Sequence, residues 1–355
     1  MKKFSFDYIK KDECNFIMMC GIPGCGKSTL SKELYSKFGY DIISSDSVRE
    51  ELFEYKFKEL EDVNDIPNDI VFSEVQMRIK QNLTYGYSCV MDSTNLSMKQ
   101  RMGQLSQLTK LKCNKYCILF IIPEPICLEN NKNRKNNHGV NDQVIDKMLR
   151  NFTLPDLYEG FDEVFYVFHE EYIPDLHKEL QSVEFLKNFS QDNHNHTYSL
   201  GDHMMAAYEY ICDNCEEISE RTKTDIEDLC IVAQNHDIGK VYTKDFHNLK
   251  GEETEDAHYY GHDNYGAYVY LVDSINNMLH PNLYNKNGNL ILLDFDMMIN
   301  KITYEAHLIN WHMAPFLRWK DSTSRKEKDR EILSKQYPNM IEDIEIINEA
   351  DVNAH

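Results

Sequence analysis

The chain has 355 residues, so two domains of roughly 150 to 200 residues are expected rather than one core. Its 38 basic and 59 acidic residues give a formal net charge of −21. This excludes a broad electrostatic surface for nucleic acid, because non-specific affinity requires Lys and Arg to neutralise phosphates. No apolar run approaches the roughly 20 residues that cross a bilayer, and the cysteine spacing indicates reduced thiols, so a cytoplasmic protein without a membrane segment is predicted.

The first half alternates β-rich runs with helical periodicity, which is typical of a parallel sheet covered by helices. After about residue 170 the β-rich runs end, and twelve of the fourteen histidines lie between His177 and His355. We therefore predict an α/β domain over residues 1–172, followed by an all-α domain over residues 173–355. The predicted strands are 15–20, 41–45, 88–91, 115–122 and 163–168, and the predicted helices of the first half are 27–38, 47–60, 70–85, 97–108, 125–133 and 142–152.

A glycine-rich segment, Gly21–Ser28, follows the first predicted strand and opens the first predicted helix. Its sequence, Gly-Ile-Pro-Gly-Cys-Gly-Lys-Ser, matches the phosphate-loop pattern in the strand-loop-helix setting that the motif requires. Glycines let backbone N–H groups converge on phosphates, Lys27 adds a charge there, and Ser28 is placed to hold Mg²⁺. ATP and Mg²⁺ are the expected cofactors, and the expected nucleotide contacts are Gly21, Gly24, Cys25, Gly26, Lys27, Ser28 and Thr29.

Polar residues follow the second and third predicted strands, at the sheet edge where open α/β folds bind ligands. Asp46 can accept a proton from an attacking hydroxyl, or it can be only the N-cap of the next helix. Arg49, one turn further on, can hold a substrate phosphate. Asp92, followed by Asn95, can position Mg²⁺ or substrate, with a structural cap as the alternative. Arg134 lies in a polar, lysine-rich stretch that is either a lid over the transferring phosphoryl group or a solvated charge run.

These motifs together resemble the bacteriophage 5′-OH polynucleotide kinases over roughly residues 14–170. The resemblance rests on Gly21–Thr29, Asp46-x-x-Arg49, Asp92–Asn95 and Arg134 before Met148-x-x-x-Phe152. It implies that Asp46 is the general base and that Arg49 clamps the phosphate on the 3′ side of the acceptor nucleotide. It also implies that Arg134 is the lid arginine, although residues 136–138 depart from the basic pattern expected there.

The second half carries a spaced set of histidines and carboxylates. His236-Asp237 follows an apolar helical run, and such a pair can reach one metal ion while the carboxylate bridges to a second. Taken singly, each histidine is more often a polar or core residue than a ligand. Lys240, one turn from the pair, can contact a substrate phosphate or be a surface lysine. The other candidates are His203 upstream and His258, His262, His312 and Asp351 downstream.

The order of these residues closely resembles the HD phosphohydrolase superfamily, especially the HD domain of CCA-adding tRNA nucleotidyltransferases, over about residues 180–355. The resemblance implies core ligands at His203, His236, Asp237 and Asp351, and second-metal ligands at His262 and His312, with His258 the rival of His262. Imidazole-rich ligation favours Mn²⁺, Ni²⁺, Co²⁺, Fe²⁺ or Zn²⁺ over Mg²⁺ alone. Such a centre would hydrolyse phosphomonoesters or cyclic phosphodiesters.

Joined, the two resemblances predict an end-healing enzyme of a bacterial or phage-infected cell. The kinase would phosphorylate a 5′-OH end, the HD domain would remove a 2′,3′-cyclic, 2′- or 3′-phosphate, and a separate ligase would seal the products. RNA ends are favoured over DNA ends. The first alternative is a small-molecule or nucleoside kinase fused to a nucleotide phosphohydrolase. A second alternative is a nucleotide-sensing regulatory protein without enzymatic activity.

Overall fold

The structure is a computed structural model that describes residues 1–134, 139–194, 197–283, 295–320 and 322–354. The chain packs as two compact units. The first unit contains residues 1–145 and 155–168, and the second contains residues 146–154 and 169–355. This division differs from the predicted single boundary after residue 172, because the segment Asp146–Leu154 packs with the second unit. That segment includes all of Met148-x-x-x-Phe152, which is part of the resemblance to the kinases.

The first unit is built on a six-stranded sheet in the order β1-β6-β5-β2-β4-β3, with every neighbouring pair parallel. β2 lies inside the sheet and all six of its residues are buried, as expected for a strand covered by helices on both faces. β1 was not predicted, because a two-residue strand shows no hydrophobic alternation. The strands are β1 Lys2–Lys3, β2 Asn15–Cys20, β3 Asp41–Ser44, β4 Cys89–Asp92, β5 Asn114–Ile121 and β6 Glu163–Phe168.

Helices follow each of the strands from β2 to β5, as the periodicity predicted, so the α/β prediction is confirmed. Ser44 and Ser97 cap α2 and α4, each accepting a hydrogen bond from the backbone N–H three residues on. All predicted strands and helices of this half occur, with ends displaced by five residues or fewer. The helices are α1 Lys27–Phe38, α2 Ser45–Tyr55, α3 Asn68–Thr84, α4 Met98–Ser106, α5 Glu124–Lys132 and α6 Asp142–Leu149.

The second unit is mainly helical. α8 packs against α10 and α15, and α12 packs against α13, so these helices enclose one apolar core. The all-α prediction needs a correction, because Asp245–His247 and Glu253–His258 pair as an antiparallel hairpin, β7 and β8. Their residues are mostly polar and carry no hydrophobic signal for a strand. The helices are α7 Val183–Asn188, α8 Leu200–Asp213, α9 Cys215–Arg221, α10 Ile226–Asn235, α11 Lys240–Thr243, α12 His262–Met278, α13 Phe295–Trp311, α14 Thr323–Leu333 and α15 Met340–Asn353.

Candidate nucleotide and metal sites

The glycine-rich loop connects the end of β2 to the start of α1. Gly24 and Gly26 have φ angles of +84° and +100°, in the left-handed region that favours glycine. A Cβ atom on Gly24 would lie 2.1 Å from the carbonyl oxygen of Cys127, so no larger residue fits there. Cys25 is buried within the loop, whereas Ser28 and Thr29 are exposed in the first turn of α1. Gly26 is the N-cap of α1 and has no side chain to cap the N–H groups of this turn.

Lys27 is buried and folded over its own loop. Its Nζ donates hydrogen bonds to the carbonyl oxygens of Gly21 at 2.9 Å and Ile22 at 2.8 Å. Backbone carbonyls carry partial negative charge and therefore stabilise the ammonium within the loop. The oxygens of a bound phosphate would compete with these carbonyls for its hydrogen bonds. The loop, the helix N-terminus and Lys27 fit a nucleotide phosphate, and the Ser28 hydroxyl would hold Mg²⁺.

The ends of β2, β3 and β4 meet at the edge of the sheet that carries the loop. The Gly21 N–H donates to the Thr94 carbonyl at 3.0 Å, and the Ser45 hydroxyl donates to Ser93 Oγ at 3.2 Å. Asp92 is buried at the end of β4, paired in register with Ser44. Asp46 lies exposed in the first turn of α2, and Ser44 is the N-cap, so the alternative reading of Asp46 as the cap is wrong.

Three other predicted residues of the first unit have different settings. Arg49 donates to the Ile66 carbonyl at 2.7 Å and to Asn68 Oδ1 at 2.5 Å, so its guanidinium is held by the connection between α2 and α3. Asn95 adopts a φ of 45° and donates to the Met19 carbonyl at 2.8 Å, which ties its loop to β2. Arg134 is half-buried after α5, and the remainder of the expected lid, residues 135–138, lies outside the described residues.

A cluster of buried ligand atoms lies at the centre of the second unit. His203 on α8, His236 at the end of α10, Asp237 and Asp351 near the end of α15 bring their ligand atoms within 4.8 Å of one another. His203 Nε2 lies 3.2 Å from Asp237 Oδ2 and 3.1 Å from Asp351 Oδ1. His236 Nε2 lies 3.5 Å from each of the same two oxygens. Two residues from α8 and α15 and two from the connection after α10 thus surround a single point.

The second oxygen of Asp237 belongs to an adjoining group. Asp237 Oδ1 lies 3.1 Å from His262 Nε2 and 3.7 Å from His312 Nε2, and these two nitrogens are 3.2 Å apart. Asp237 therefore has one oxygen in each of two neighbouring ligand groups, as a carboxylate bridging two metal ions does. His258 is outside both groups, and its Nδ1 is hydrogen-bonded to the Tyr260 hydroxyl at 3.3 Å.

All four imidazoles of this His/Asp cluster are oriented by a backbone carbonyl. Nδ1 of His203 and His236 donates to the carbonyls of Ala354 at 2.9 Å and Ala233 at 2.7 Å. Nδ1 of His262 and His312 donates to those of Tyr259 at 2.8 Å and Ile309 at 2.7 Å. Each proton on Nδ1 leaves the Nε2 lone pair directed into the cluster. This is the arrangement that metal-ligating histidines use.

The charges within the cluster also fit a cation. Burial opposes charge on His203, but hydrogen bonds to Asp237 and Asp351 outweigh it and raise its pKa to about 9. Attraction to Asp237 likewise overcomes burial and raises the pKa of His236 to about 10. Burial and the neighbouring His262 lower the pKa of His312 to about 3, so its lone pair stays available. The carboxylates thus favour a positive charge at the Nε2 atoms of His203 and His236. A divalent cation bound to these atoms would replace the protons and supply that charge.

Lys240 completes the polar surroundings of Asp237. Its buried ammonium donates to Asp237 Oδ2 at 2.6 Å and to Gln191 Oε1 at 2.8 Å, and it lies 5.5 Å from the centre of the Tyr259 ring. Lys240 is therefore not a surface lysine, and a substrate phosphate would have to share it with Asp237. The Tyr259 hydroxyl in turn donates to the Gln191 carbonyl. Sequence reasoning missed Gln191, since nothing in the local pattern marks it.

Gly239 is a further residue that the sequence analysis missed. A Cβ atom there would lie 1.9 Å from the carbonyl oxygen of His262 and 2.6 Å from the backbone nitrogen of Gly266. Only glycine lets α12 approach the His236-Asp237 connection closely enough to bring His262 into the cluster. The position of this glycine two residues after Asp237, in the sequence His-Asp-Ile-Gly, could have indicated its role.

The AAA domain family matches residues 16–155 of the chain. A putative kinase from Chloroflexus aurantiacus is 16% identical, with 44% of this chain and 88% of that chain covered, at a TM-score of 0.36. A sugar kinase from Janibacter sp. is 11% identical, with 44% and 85% covered, at a TM-score of 0.34. A gluconokinase from Sinorhizobium meliloti is 16% identical, with 46% and 88% covered, at a TM-score of 0.32.

The family match and the loop geometry agree on the first unit. The matched residues contain the glycine-rich loop, Lys27 and the parallel strands β2 to β5. Over these residues the first unit is similar to the AAA domain, and its glycine-rich loop fits the phosphates of a nucleotide bound with Mg²⁺. Among the described residues, no helix has the length and apolar character needed to span a bilayer.

Proposed function

We propose that this protein heals nucleic-acid ends, with RNA ends preferred over DNA ends. The first unit would transfer the γ-phosphoryl group of ATP to a 5′-OH, and the second would remove a 2′,3′-cyclic, 2′- or 3′-phosphate. The observation that supports the proposal is that one chain contains both the glycine-rich loop, which fits a nucleotide phosphate, and the buried His/Asp cluster, whose ligand atoms could hold metal ions. Their products, a 5′-phosphate and a free 3′-OH, are the two ends that a separate ligase joins.

For the kinase, the roles follow from position at the sheet edge. Lys27 and the N–H groups of α1 would bind the ATP phosphates, and Lys27 would exchange the carbonyls of Gly21 and Ile22 for phosphate oxygens. Asp46 is exposed in the first turn of α2, which supports a role in accepting the proton of the attacking hydroxyl. Asp92 would position Mg²⁺ or substrate, and Arg134 would stabilise charge on the transferring group.

For the phosphoesterase, His203, His236, Asp237 and Asp351 would hold one divalent ion, and Asp237, His262 and His312 a second. Such ions supply an activated water and electrostatic stabilisation for phosphoester hydrolysis. The carbonyls that accept from the four Nδ1 atoms keep the imidazoles in the required tautomer. Lys240 would orient Asp237 and contact a phosphoryl oxygen of the substrate.

A second candidate is a small-molecule or nucleoside kinase fused to a nucleotide phosphohydrolase. One observation favours it. Arg49, the expected clamp for the phosphate of a polynucleotide acceptor, is engaged by Ile66 and Asn68. An acceptor that lacks this phosphate would leave both hydrogen bonds in place.

One experiment separates the two candidates. An RNA oligonucleotide with a 5′-OH and a 2′,3′-cyclic phosphate is incubated with labelled ATP, Mg²⁺ and Mn²⁺, in parallel with the matching DNA, free nucleosides and sugars. End healing predicts label at the RNA 5′ end and loss of the cyclic phosphate. Label on nucleosides or sugars, with none on the oligonucleotides, would reject the end-healing proposal in favour of the second candidate.

Asp46→Asn provides the matched test of the base. We expect it to lower transfer to the oligonucleotide by about 10²-fold or more, in the range that general-base catalysis contributes. Glu54→Gln, an exposed carboxylate further along the same helix, should leave transfer unchanged. Equal activity of the two variants would remove Asp46 from the mechanism.

A further inference from the structure

A cavity of about 630 Å³ adjoins the His/Asp cluster within the second unit. Its wall includes Asp237, His262 and Asp351 of the cluster. This volume lies within the range of about 300 to 1,000 Å³ that small-molecule sites occupy. A phosphate alone needs far less space, so the cavity can hold a larger part of the ligand beside the cluster.

Much of the remaining wall is aromatic or apolar. Tyr260 and His258 stack with ring centres 5.2 Å apart and planes inclined by 11°, and the Tyr260 hydroxyl is hydrogen-bonded to His258 Nδ1. This pairing fixes the Tyr260 ring before any ligand arrives. Phe316 also lines the cavity and lies in a π-helical turn, Pro315–Trp319, a geometry that recurs at functional sites. Tyr260 and Phe316 are each 39% exposed, so both rings offer surface to a ligand.

The charges of the wall decide what kind of ligand fits. Three carboxylates line it, those of Asp237, Asp263 and Asp351, and the described lining residues include one lysine, Lys240, and no arginine. Because Lys240 already pairs with Asp237, the wall away from the cluster has little to attract an anion. A phosphate would therefore bind at the cluster, while the remaining wall favours a flat group that is uncharged and has a π-face.

We propose that the stacked pair Tyr260–His258, together with Phe316, forms a nucleobase platform that selects a terminal nucleotide as the ligand of the second unit. The inference deepens the proposed phosphoesterase and rests on it for the position of the phosphate. It identifies the substrate class as phosphoesters that carry a base, as opposed to sugar phosphates. Stacking tolerates any base, so the platform would bind all four nucleotides with modest differences.

The test measures binding separately from hydrolysis. Equilibrium dissociation constants are obtained by calorimetry with Mn²⁺ for adenosine 3′-phosphorothioate, chosen for its slow hydrolysis, and for 1-deoxyribose 3-phosphorothioate, which lacks the base. Stacking of a base on an aromatic ring accounts for roughly 5- to 100-fold in affinity. We expect Tyr260→Ala to weaken the adenosine ligand by about 10-fold within that range and to leave the base-free ligand within about 2-fold.

Two control variants keep the result specific. Tyr260→Phe retains the ring and should bind the adenosine ligand within about 3-fold of the wild-type protein, since stacking needs only the ring face. Phe246→Ala removes an equally exposed ring, also 39% exposed, from the hairpin that precedes Tyr260 and outside the cavity wall, and it should change neither constant. Phe316→Ala should act in the same direction as Tyr260→Ala.

The outcomes distinguish the platform from the phosphoesterase. If the wild-type protein binds the adenosine ligand more tightly than the base-free ligand but hydrolyses neither parent phosphate, the proposed hydrolysis fails and the platform stands. If Tyr260→Ala weakens both ligands equally, or neither, the platform is rejected whatever the hydrolytic activity. Wild-type protein that binds the two ligands alike, or binds neither, also overturns it.

Discussion

The two candidate sites are built from different parts of the polypeptide. In the first unit the phosphate loop consists of eight consecutive residues, Gly21–Ser28, and its binding groups are mainly backbone N–H groups at the start of α1. In the second unit the His/Asp cluster is made wholly of side chains. They come from α8, α12 and α15 and from the residues that follow α10 and α13.

This difference determines how each site depends on its surroundings. The loop needs a few glycine dihedral angles and one lysine, and these are local properties of the chain. The cluster needs buried carboxylates and imidazoles close together, and such charges are costly unless each has a partner. A substitution in the loop should therefore impair function with little loss of stability, whereas one in the cluster should affect metal binding, catalysis and stability together.

The largest expected effect is that of Asp237→Asn, which removes the carboxylate shared by both ligand groups. Metal ions contribute several kcal/mol to such reactions, so we expect phosphoester hydrolysis to fall by about 10³-fold or more. Mn²⁺ at 100 times its dissociation constant should raise the wild-type free energy of unfolding by about 2.7 kcal/mol, and should raise that of the variant far less. Both tryptophans, Trp311 and Trp319, belong to the second unit, so their fluorescence follows its unfolding.

Asp202→Asn is the control for this prediction, because Asp202 is exposed beside His203 and lies outside the cluster. It should keep both hydrolysis and the Mn²⁺ effect. Metal stabilisation that survives Asp237→Asn undiminished would contradict a shared carboxylate. Kinase activity should be unchanged in both variants, since the glycine-rich loop belongs to the other unit.

Lys27→Ala tests the glycine-rich loop of the first unit. Loss of one charged group aimed at the transferring phosphoryl is worth about 10²- to 10³-fold, so we expect γ-phosphoryl transfer to fall by that factor. Hydrolysis by the second unit and its fluorescence-detected unfolding should not change. Lys32→Ala, an exposed lysine on the same helix, is the control and should keep full transfer. Retained transfer in Lys27→Ala would contradict the assignment of this loop to the nucleotide.

The first unit was predictable from sequence because its signals are local. Apolar runs, helical periodicity and the glycine-rich segment each fall within a few neighbouring residues, and the strand β2 was predicted at its observed bounds. The setting of Arg49 was not predictable. The connection between α2 and α3 brings Ile66 and Asn68 to Arg49. The spacing of residues along a helix does not predict such a contact between separate segments.

The second unit was predictable only in residue types. The sequence singled out His203, His236, Asp237, His312 and Asp351, which the structure brings together. It left His258 and His262 as rivals, because they lie on either side of the same tyrosine pair and only the fold distinguishes them. Gly239 decides that separation through its contact with the His262 carbonyl. Contacts between residues distant in sequence are the part that local pattern cannot supply.

Buried charge is not confined to the second unit, because Arg101 and Glu159 form a buried ion pair in the first. Its fully buried guanidinium makes two bonds to Glu159, at 2.6 and 2.7 Å, and donates to the Leu96 carbonyl at 2.8 Å. Arg101→Met leaves Glu159 charged without a partner, so we expect it to destabilise the first unit by about 3–5 kcal/mol. Urea unfolding followed by hydrogen exchange in β2 and β5 measures this, and tryptophan fluorescence should report no change in the second unit.

The control for Arg101 is Arg78, which pairs with Glu51 at 2.8 Å while 32% of its side chain is exposed. Arg78→Met should cost about 0–1 kcal/mol, as partly exposed pairs do. The double variant Arg101→Met with Glu159→Leu should regain much of the lost stability, because it removes the orphaned charge. Equal losses in the single and double variants would show that shape, and not charge, governs this position.

The smallest expected effect concerns Glu305 in the second unit, which lies outside the cluster. Burial raises the pKa of Glu305 to about 7, with Asp228 and Glu227 adding to the rise, while the hydrogen bond from Tyr270 and the charge of Lys301 oppose it. A carboxyl group whose folded-state pKa exceeds its unfolded value contributes its full stability below the unfolded pKa of about 4.3. That contribution is lost as pH rises through the folded value.

The free energy of unfolding of the second unit should therefore fall between about pH 4.5 and pH 7, by up to about 3 kcal/mol from this group. Glu305→Gln should remove that part of the slope in urea titrations followed by tryptophan fluorescence. Other groups of the second unit remain in the variant, among them the cluster and Asp343, whose pKa burial also raises, so part of the slope should persist. An unchanged slope would show that Glu305 is ionised in the folded state throughout this range.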